Sequence, residues 1–338
     1  MKALIYFESL KAIKKSGIGR ARTHQVLACQ SAGIDIVDNP KDPFDIAHIN
    51  TYGGKSYRLL KRCLKKNIPV VVHGHSTLED WQGSFLAAKL IEPFYWHNLK
   101  RMYGNAPTII TPTPHSKRNI DNYHLCDDVR FLSNGISLEE YAPDQEKVKA
   151  FRQHFNLKDD EKFVMGVGFP FVRKGLVDFI EVAREFPDVK FFWFGHLPWV
   201  AVSKACKKAI RNKPDNVILP GYVAGPLIKG AYQTTSCFFF PSYEENEGIV
   251  VLEALASRCP ILVRDIDTYV PWLNKDKTCH MGYNNDEFKK ELHKLLENGE
   301  DPAILDEAYK VAEERSIDKI GEKLKEIYSE VIANQSKK

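Results

Sequence analysis

Short apolar runs alternate with longer amphipathic stretches along nearly the whole chain. Runs at residues 2–8, 34–37, 44–49, 107–111 and 129–132, and the stretch opening at Pro69-Val-Val-Val, are bounded by Gly, Pro, Asn or Asp and predict strands. Helical spacing predicts helices from about 20 to 32, from 54 to 66 and after Thr113. The rhythm restarts in the second half, with strands over 162–168, 190–195, 216–220, 237–241 and 260–264. Lys190-Phe-Phe-Trp-Phe lacks alternation, as expected of a parallel strand buried on both faces. Strands separated by helices predict an α/β chain with parallel sheets. Pro143 and the charged segment 144–161, with a helix over 145–155, mark the junction between two halves. The region 284–333 is mostly amphipathic helix.

Two helical segments of the first half carry unusual side chains. The 54–66 helix has Lys55, Arg58, Lys61, Arg62, Lys65 and Lys66 and no acid, with Tyr57, Leu60 and Leu64 as its apolar stripe. Residues 84–103 are rich in aromatics. Phe85, Leu86, Leu90 and Ile91 are expected to pack inward, Pro93 to break or bend the helix, and Phe94, Tyr95 and Trp96 to crowd its second half. Apolar area beside cationic charge suits lying on an anionic bilayer rather than crossing it.

Composition narrows the class. The 338 residues suit two domains, and 43% hydrophobic with 27% charged residues describe a globular protein. No apolar run approaches the roughly 18 residues that span a bilayer, and the N-terminus has no signal-peptide layout. Seven scattered cysteines form no metal-like pair and fit reduced thiols in a cytoplasmic protein. The net charge of +4 divides into +6 over residues 1–150 and −2 over the remainder. A basic first half favours polyanions or an anionic membrane surface. No reading helix or phosphate-tracking array supports nucleic-acid binding.

The richest candidate chemistry lies in Phe238-Phe-Phe-Pro-Ser-Tyr-Glu-Glu-Asn-Glu-Gly-Ile-Val-Val-Leu-Glu-Ala-Leu-Ala256. An apolar strand enters a polar turn, and a helix opens near Gly248. Glu245 in the turn and Glu253 within the helix are placed to hold different parts of one extended polar ligand. The open N–H groups at the helix start suit an anion or a ring of hydroxyls. The bland alternative is a strand–turn–helix whose acids face solvent. Gly17 and Gly19 precede an expected helix start at Arg20, but Arg22 replaces the third glycine of a dinucleotide fingerprint, so no NAD site is expected. His73 reads as a core histidine and His75 as a ligand-facing residue beyond the strand. Arg173 and Lys174 open a helix or face an anion. Asp265 and Asp267 lack the further oxygen ligands a metal needs.

Pro241-Ser-x-x-Glu followed by Gly248-Ile-Val-x-Leu-Glu-Ala resembles the donor-sugar signature of the retaining glycosyltransferases of family GT4, with both glutamates at the family spacing. The resemblance extends to Gly17 and Gly19, His75, Ser133-Asn-Gly-Ile, Lys174-Gly and Gly221-Tyr222. It implies the GT-B fold: two doubly wound Rossmann-like domains facing a central cleft. The domains would be 1–145, completed by a returning helix at about 316–333, and 160–312. It further implies that Glu253 binds ribose hydroxyls, Glu245 holds the hexose, and Asn246, Glu247, Gly248 and Ile249 assist. Tyr222 would lie near the base, while Lys174 and Arg173 meet the departing diphosphate and His75 approaches the donor sugar. Two departures stand out: Phe169-Pro170 replaces the common arginine after the strand glycine, and Glu247 replaces a common aromatic.

Val167-Gly-Phe-Pro-Phe-Val-Arg-Lys-Gly and His73-Gly-His-Ser-Thr are similar to Gram-positive glucolipid synthases. The expected reaction moves glucose or galactose from a UDP-sugar to monoglucosyl-diacylglycerol with retention, without metal or other cofactor. It would occur at the inner face of the cell membrane. Ser76 and Thr77 would contact the acceptor, and Arg58, Lys61, Arg62, Lys65, Lys66, Phe94, Tyr95 and Trp96 the membrane. First-sugar transfer to diacylglycerol, transfer to a soluble or cell-wall glycan, and a non-catalytic membrane-surface protein are the alternatives.

Overall fold

A computed structural model describes residues 1–10, 16–81 and 88–336 of the chain. Of these, residues 1–10, 16–81, 89–136 and 315–336 form one compact unit, and residues 88 and 137–314 belong to the other. The first unit runs β1 (Lys2–Tyr6), α1 (Gly17–Ser31), β2 (Asp35–Val37), β3 (Ile46–Ile49), α2 (Gly54–Lys65), β4 (Val70–His73), α3 (Leu78–Trp81), α4 (Ala88–Tyr103), β5 (Ile109–Thr111), α5 (Pro114–Asp121) and β6 (Val129–Phe131). The second runs α6 (Leu138–Tyr141), α7 (Gln145–His154), β7 (Phe163–Val167), α8 (Leu176–Ala183), β8 (Lys190–Phe194) and α9 (Lys204–Arg211). It continues through β9 (Val217–Gly221), α10 (Pro226–Thr234), β10 (Cys237–Phe240), α11 (Ile249–Ala256), β11 (Ile261–Arg264), β12 (His280–Gly282), α12 (Asn285–Asn298) and α13 (Pro302–Glu313). Helix α14 (Ile317–Ser336) returns to the first unit.

Each unit holds one six-stranded sheet whose named pairings are all parallel, ordered β2-β1-β3-β4-β5-β6 and β12-β11-β10-β7-β8-β9. Both faces are covered, because successive residues of a strand enter opposite cores. Val70 and Val72 pack with α2 and α4 residues such as Leu60 and Leu99, whereas Val71 joins Ala28 of α1 and Leu324 of α14. Helix α14 lies so close to α1 that a Cβ at Gly321 would sit 2.3 Å from the Ala28 carbonyl oxygen. The order in which successive strands are added reverses between β1 and β3 in one sheet and between β7 and β10 in the other. Such reversals open a crevice at the carboxyl ends of parallel strands, where ligands of this architecture bind.

Several local expectations are revised. Helix α1 begins at Gly17 rather than Arg20, because the Ser16 hydroxyl caps it by accepting the Gly19 N–H. Gly17 and Gly19 therefore lie in its first turn. Helix α4 continues through Pro93 without a break. The expected inward packing of Phe85 and Leu86 lies outside the described residues, whereas Leu90 and Ile91 are exposed. The buried face of α2 is Ser56, Leu59, Leu60 and Cys63, with Tyr57 and Leu64 at its margin. All seven cysteines are free.

Candidate active site

At the reversal in the second sheet, two loops are stitched together. The loop after β7 reaches Arg173 and Lys174, and the loop after β10 begins at Pro241. The Tyr243 N–H donates to the Arg173 carbonyl (2.7 Å), and the Arg173 guanidinium donates to the Glu244 carbonyl (2.7 Å). Gly175 makes this approach possible. Its φ is 78°, and a Cβ there would lie 2.2 Å from the Pro241 carbonyl oxygen. The stitching brings Lys174 Nζ to 2.5 Å from Glu245 Oε1, which also accepts the Ser242 hydroxyl at 2.7 Å. From the loop after β11, the Thr268 hydroxyl holds the Glu245 carbonyl at 2.7 Å.

The acids of the turn do not face solvent. Glu245 is 5% exposed, Glu247 3% and Glu253 4%. That removes the solvated-surface alternative, because buried carboxylates are costly without partners. Glu253, in the second turn of α11, accepts from the Tyr232 hydroxyl of α10 at 3.0 Å. Gly248 caps α11 with a left-handed φ of 86°, Ile249 is its first residue, and Asn246 is half-buried in the turn. Tyr222 stands in an exposed loop after β9. Arg264 is a packing residue, donating to the Pro241 carbonyl and stacking on Tyr243. Among the described residues, no group of three His, Cys, Asp or Glu side chains is set to hold a metal ion. Ser242, Thr268 and Tyr232 were not singled out in the sequence. Ser242 lies inside the quoted motif, but nothing local points Tyr232 or Thr268 at the glutamates.

In the first unit, β3 and β4 end in three neighbouring imidazoles. His73 stacks on His75 with ring centroids 3.8 Å apart, and His48 Nε2 lies 3.1 Å from His73 Nδ1. Tyr328 of α14 lies 2.6 Å from His48 Nδ1. Burial pushes His73 down to about 3. Burial, and then repulsion from the neighbouring imidazoles, hold His48 and His75 well below the ordinary imidazole range. All three rings are therefore neutral near pH 7. Asn50 fixes the tautomer of His75. Its Nδ2 donates to the His48 carbonyl (3.3 Å), so its Oδ1 faces His75 Nε2 (2.9 Å), and that ring nitrogen donates. Neutral His75 then carries its lone pair on Nδ1. His48 in β3 and Asn50 just past its end were missed in the sequence because they lie about 25 residues away from His73 and His75.

The expected acceptor and membrane residues divide. Arg58, Lys61, Arg62, Lys65 and Lys66 are all exposed, as is Phe94 at 70%. Tyr95 is a correction. It is 4% exposed, stacks on Trp81 at 4.2 Å, and donates to the Thr77 carbonyl at 3.0 Å, so it belongs to the core. Trp96 is partly buried against Tyr123. Ser76 and Thr77 are buried as well, their carbonyls held by Tyr103 and Tyr95. Neither residue offers an open hydroxyl. No helix among the described residues is long and apolar enough to cross a membrane.

Comparison with known proteins agrees with this geometry. Residues 31–140 match the Glycosyltransferase Family 4 model, and 147–311 match that of glycosyl transferases group 1. The chain is 47% identical over 333 residues to a processive diacylglycerol alpha-glucosyltransferase of Acholeplasma laidlawii, covering 98% of this chain and 99% of the relative. An alpha-galactosylglucosyldiacylglycerol synthase of Streptococcus pneumoniae is 30% identical over 212 residues, 62% of this chain and 55% of its own. Two solved structures share the fold at 15% identity. Sucrose-phosphate synthase from Thermosynechococcus elongatus has a TM-score of 0.79, covering 98% of this chain and 99% of that one. Anabaena HepE in complex with UDP-glucose has 0.76, covering 98% and 100%. With its two six-stranded Rossmann-like domains and its near full-length likeness to a glucolipid synthase, the chain is a GT-B glycosyltransferase and belongs to glycosyltransferase family 4.

Proposed function

We propose that this glycosyltransferase moves glucose from UDP-glucose to monoglucosyl-diacylglycerol with retention, at the inner face of the cell membrane. The observation that carries the reading is the nearly buried Lys174–Glu245 pair at the sheet reversal, with Glu253 buried in the following helix. Near full-length likeness to a diacylglycerol alpha-glucosyltransferase supports glucose and a glycerolipid acceptor.

Glu253 holds ribose hydroxyls, and Glu245 with the Asn246–Ile249 backbone and Gly248 holds the hexose. Lys174 turns from Glu245 toward the diphosphate as negative charge grows on it, while Arg173 keeps the loop in place and adds positive potential. Preorganised charge at a developing anion is typically worth about 10²–10³ in rate. The bond from the anomeric carbon to the diphosphate oxygen breaks as the acceptor oxygen adds on the same face. The departing diphosphate takes the hydroxyl proton. His75, neutral and oriented by Asn50, accepts a hydrogen bond from a sugar hydroxyl at Nδ1. Tyr222 lies near the base, and Glu247, buried in the turn, bears on sugar choice. No step uses a metal. The cationic face of α2 and the exposed Leu90, Ile91 and Phe94 of α4 bring the first unit to an anionic bilayer.

The test supplies radiolabelled UDP-glucose or UDP-galactose with diacylglycerol or monoglucosyl-diacylglycerol in anionic vesicles and identifies the labelled lipid. A diglucosyl lipid with both linkages alpha is expected from UDP-glucose. Label appearing only in a soluble glycan, or no transfer, overturns the reading. A second reading, first-sugar transfer to diacylglycerol itself, is favoured by the name of the 47% identical relative. Efficient labelling of diacylglycerol in the same assay would establish it.

A further inference from the structure

The second unit carries a surface that the chemistry above leaves unused. The chain leaves β8 into a short 3-10 turn, Trp199–Ala201, and then into α9. Val200 is 80% exposed and Trp199 45%. From residue 189 to 214 the sequence has six Lys or Arg and no acid. Lys190 is taken up by Glu161, and Lys213 donates to the Val217 carbonyl. Lys204, Lys208 and Arg211 are exposed and Lys207 half-buried, and among the described residues none of the four forms an ion pair. Lys207 Nζ and Arg211 Cζ stand 5.6 and 5.5 Å from the Trp199 ring centroid, so the apolar and cationic parts form one patch. Both acids of neighbouring α8 are occupied, Glu181 by Arg184 and Asp178 by Arg264.

A folded core gives no reason to leave a valine and an indole in water beside four unpaired cations. An indole flanked by Lys and Arg is the chemistry of the water–lipid interface, where the ring sits among headgroups and cations meet their phosphates. The patch also lies on a loop leaving the carboxyl ends of the strands, the edge from which the Lys174 and Glu245 loops leave. We propose that Trp199, Val200 and the basic face of α9 form a second membrane-docking surface, specific for anionic lipid and belonging to the donor-binding unit. It rests on the lipid-acceptor reading and extends it. The second unit is tied to the bilayer by its own contacts, so a headgroup acceptor is met at the surface by the sheet edge that holds the sugar.

Two variants of the full chain test this: Trp199→Ala with Val200→Ser, and Lys204→Glu with Lys208→Glu and Arg211→Glu. None touches the proposed catalytic machinery, and matching circular dichroism and melting curves check folding. Flotation with phosphatidylglycerol-containing vesicles is compared with purely zwitterionic ones. Each variant is expected to need about tenfold more anionic lipid for half-binding, while transfer to acceptor dispersed in detergent micelles stays within twofold of wild type. Unchanged binding to anionic vesicles in both variants overturns the proposal. So does equal binding of wild type to zwitterionic vesicles, or loss of micellar transfer. If wild type transfers no sugar in micelles, the function reading fails, yet flotation still decides the docking surface.

Discussion

The two sheets are built alike and furnished differently. Each is six-stranded and parallel, with a reversal that opens a crevice at the strand ends. In the first, the strand ends carry stacked, buried imidazoles held neutral by desolvation. In the second, they carry a nearly buried ion pair, Lys174 with Glu245, pinned by hydroxyls from two loops. The backbone provides the same place twice, and the loop sequences decide whether it holds neutral hydrogen-bonding groups or charge. A neutral site suits orienting hydroxyls, and a charged one suits a departing diphosphate.

The comparison breaks most visibly at the ion pair. Glu245→Ala should lower transfer by about 10²–10³ and destabilise the second unit by up to about 3 kcal/mol, because Lys174 is left uncompensated. A Lys174→Met, Glu245→Leu double variant should regain the stability without the activity. Steady-state kinetics and denaturant melts separate the two effects. Next comes Gly175→Ala, which drives a Cβ into the Pro241 carbonyl at a left-handed φ. It should cost about 1–3 kcal/mol, with faster amide exchange around 168–176 and 241–248 and none of it in the first unit.

The histidines sharpen the contrast through pH. His73, His48 and His75 have folded pKa values below their unfolded value, so the unfolded chain binds more protons as pH falls beneath about 6.5. Stability of the first unit should therefore fall with acidification from about 6.5 toward 3. The slope reaches at most about 1.4 kcal/mol per pH unit for each imidazole, and His48→Gln should flatten it in melts across that range. His280 in the second unit has the opposite sign. The Glu300 hydrogen bond raises its pKa against burial, so its contribution is present below about 6.5 and fades as pH rises through the raised value. Asn50→Ala should allow the other His75 tautomer, visible in ring ¹⁵N shifts, and lower kcat by about tenfold with little change in KM for the donor. Asn50→Asp should keep the Nε2–H tautomer and move the pH profile upward.

Strand and helix boundaries were readable because short apolar runs, buried at successive positions, alternate with amphipathic stretches and are bounded by turn residues. The acids at 245 and 253 were readable because motif and helix spacing are local. Their surroundings were not. Tyr232 reaches Glu253 from another helix, Thr268 reaches Glu245 from the loop after β11, and Tyr328 reaches His48 across 280 residues. Local pattern also misassigned Tyr95, since an aromatic run on a helix does not say which ring turns inward. The open glycine loop expected at 17–19 became a helix turn because the Ser16 cap outweighs two glycines' reluctance to be helical.

The proposed reaction requires the second unit to grip the nucleotide sugar through Glu253 and the Lys174–Glu245 loops. Calorimetric titration of UDP-glucose into wild type and Glu253→Ala tests this most directly. Removing a charged hydrogen-bond acceptor for ribose should weaken binding by about 1.5–3 kcal/mol, at least tenfold in Kd. Equal affinity in the two proteins, with wild type active under the same conditions, would contradict it.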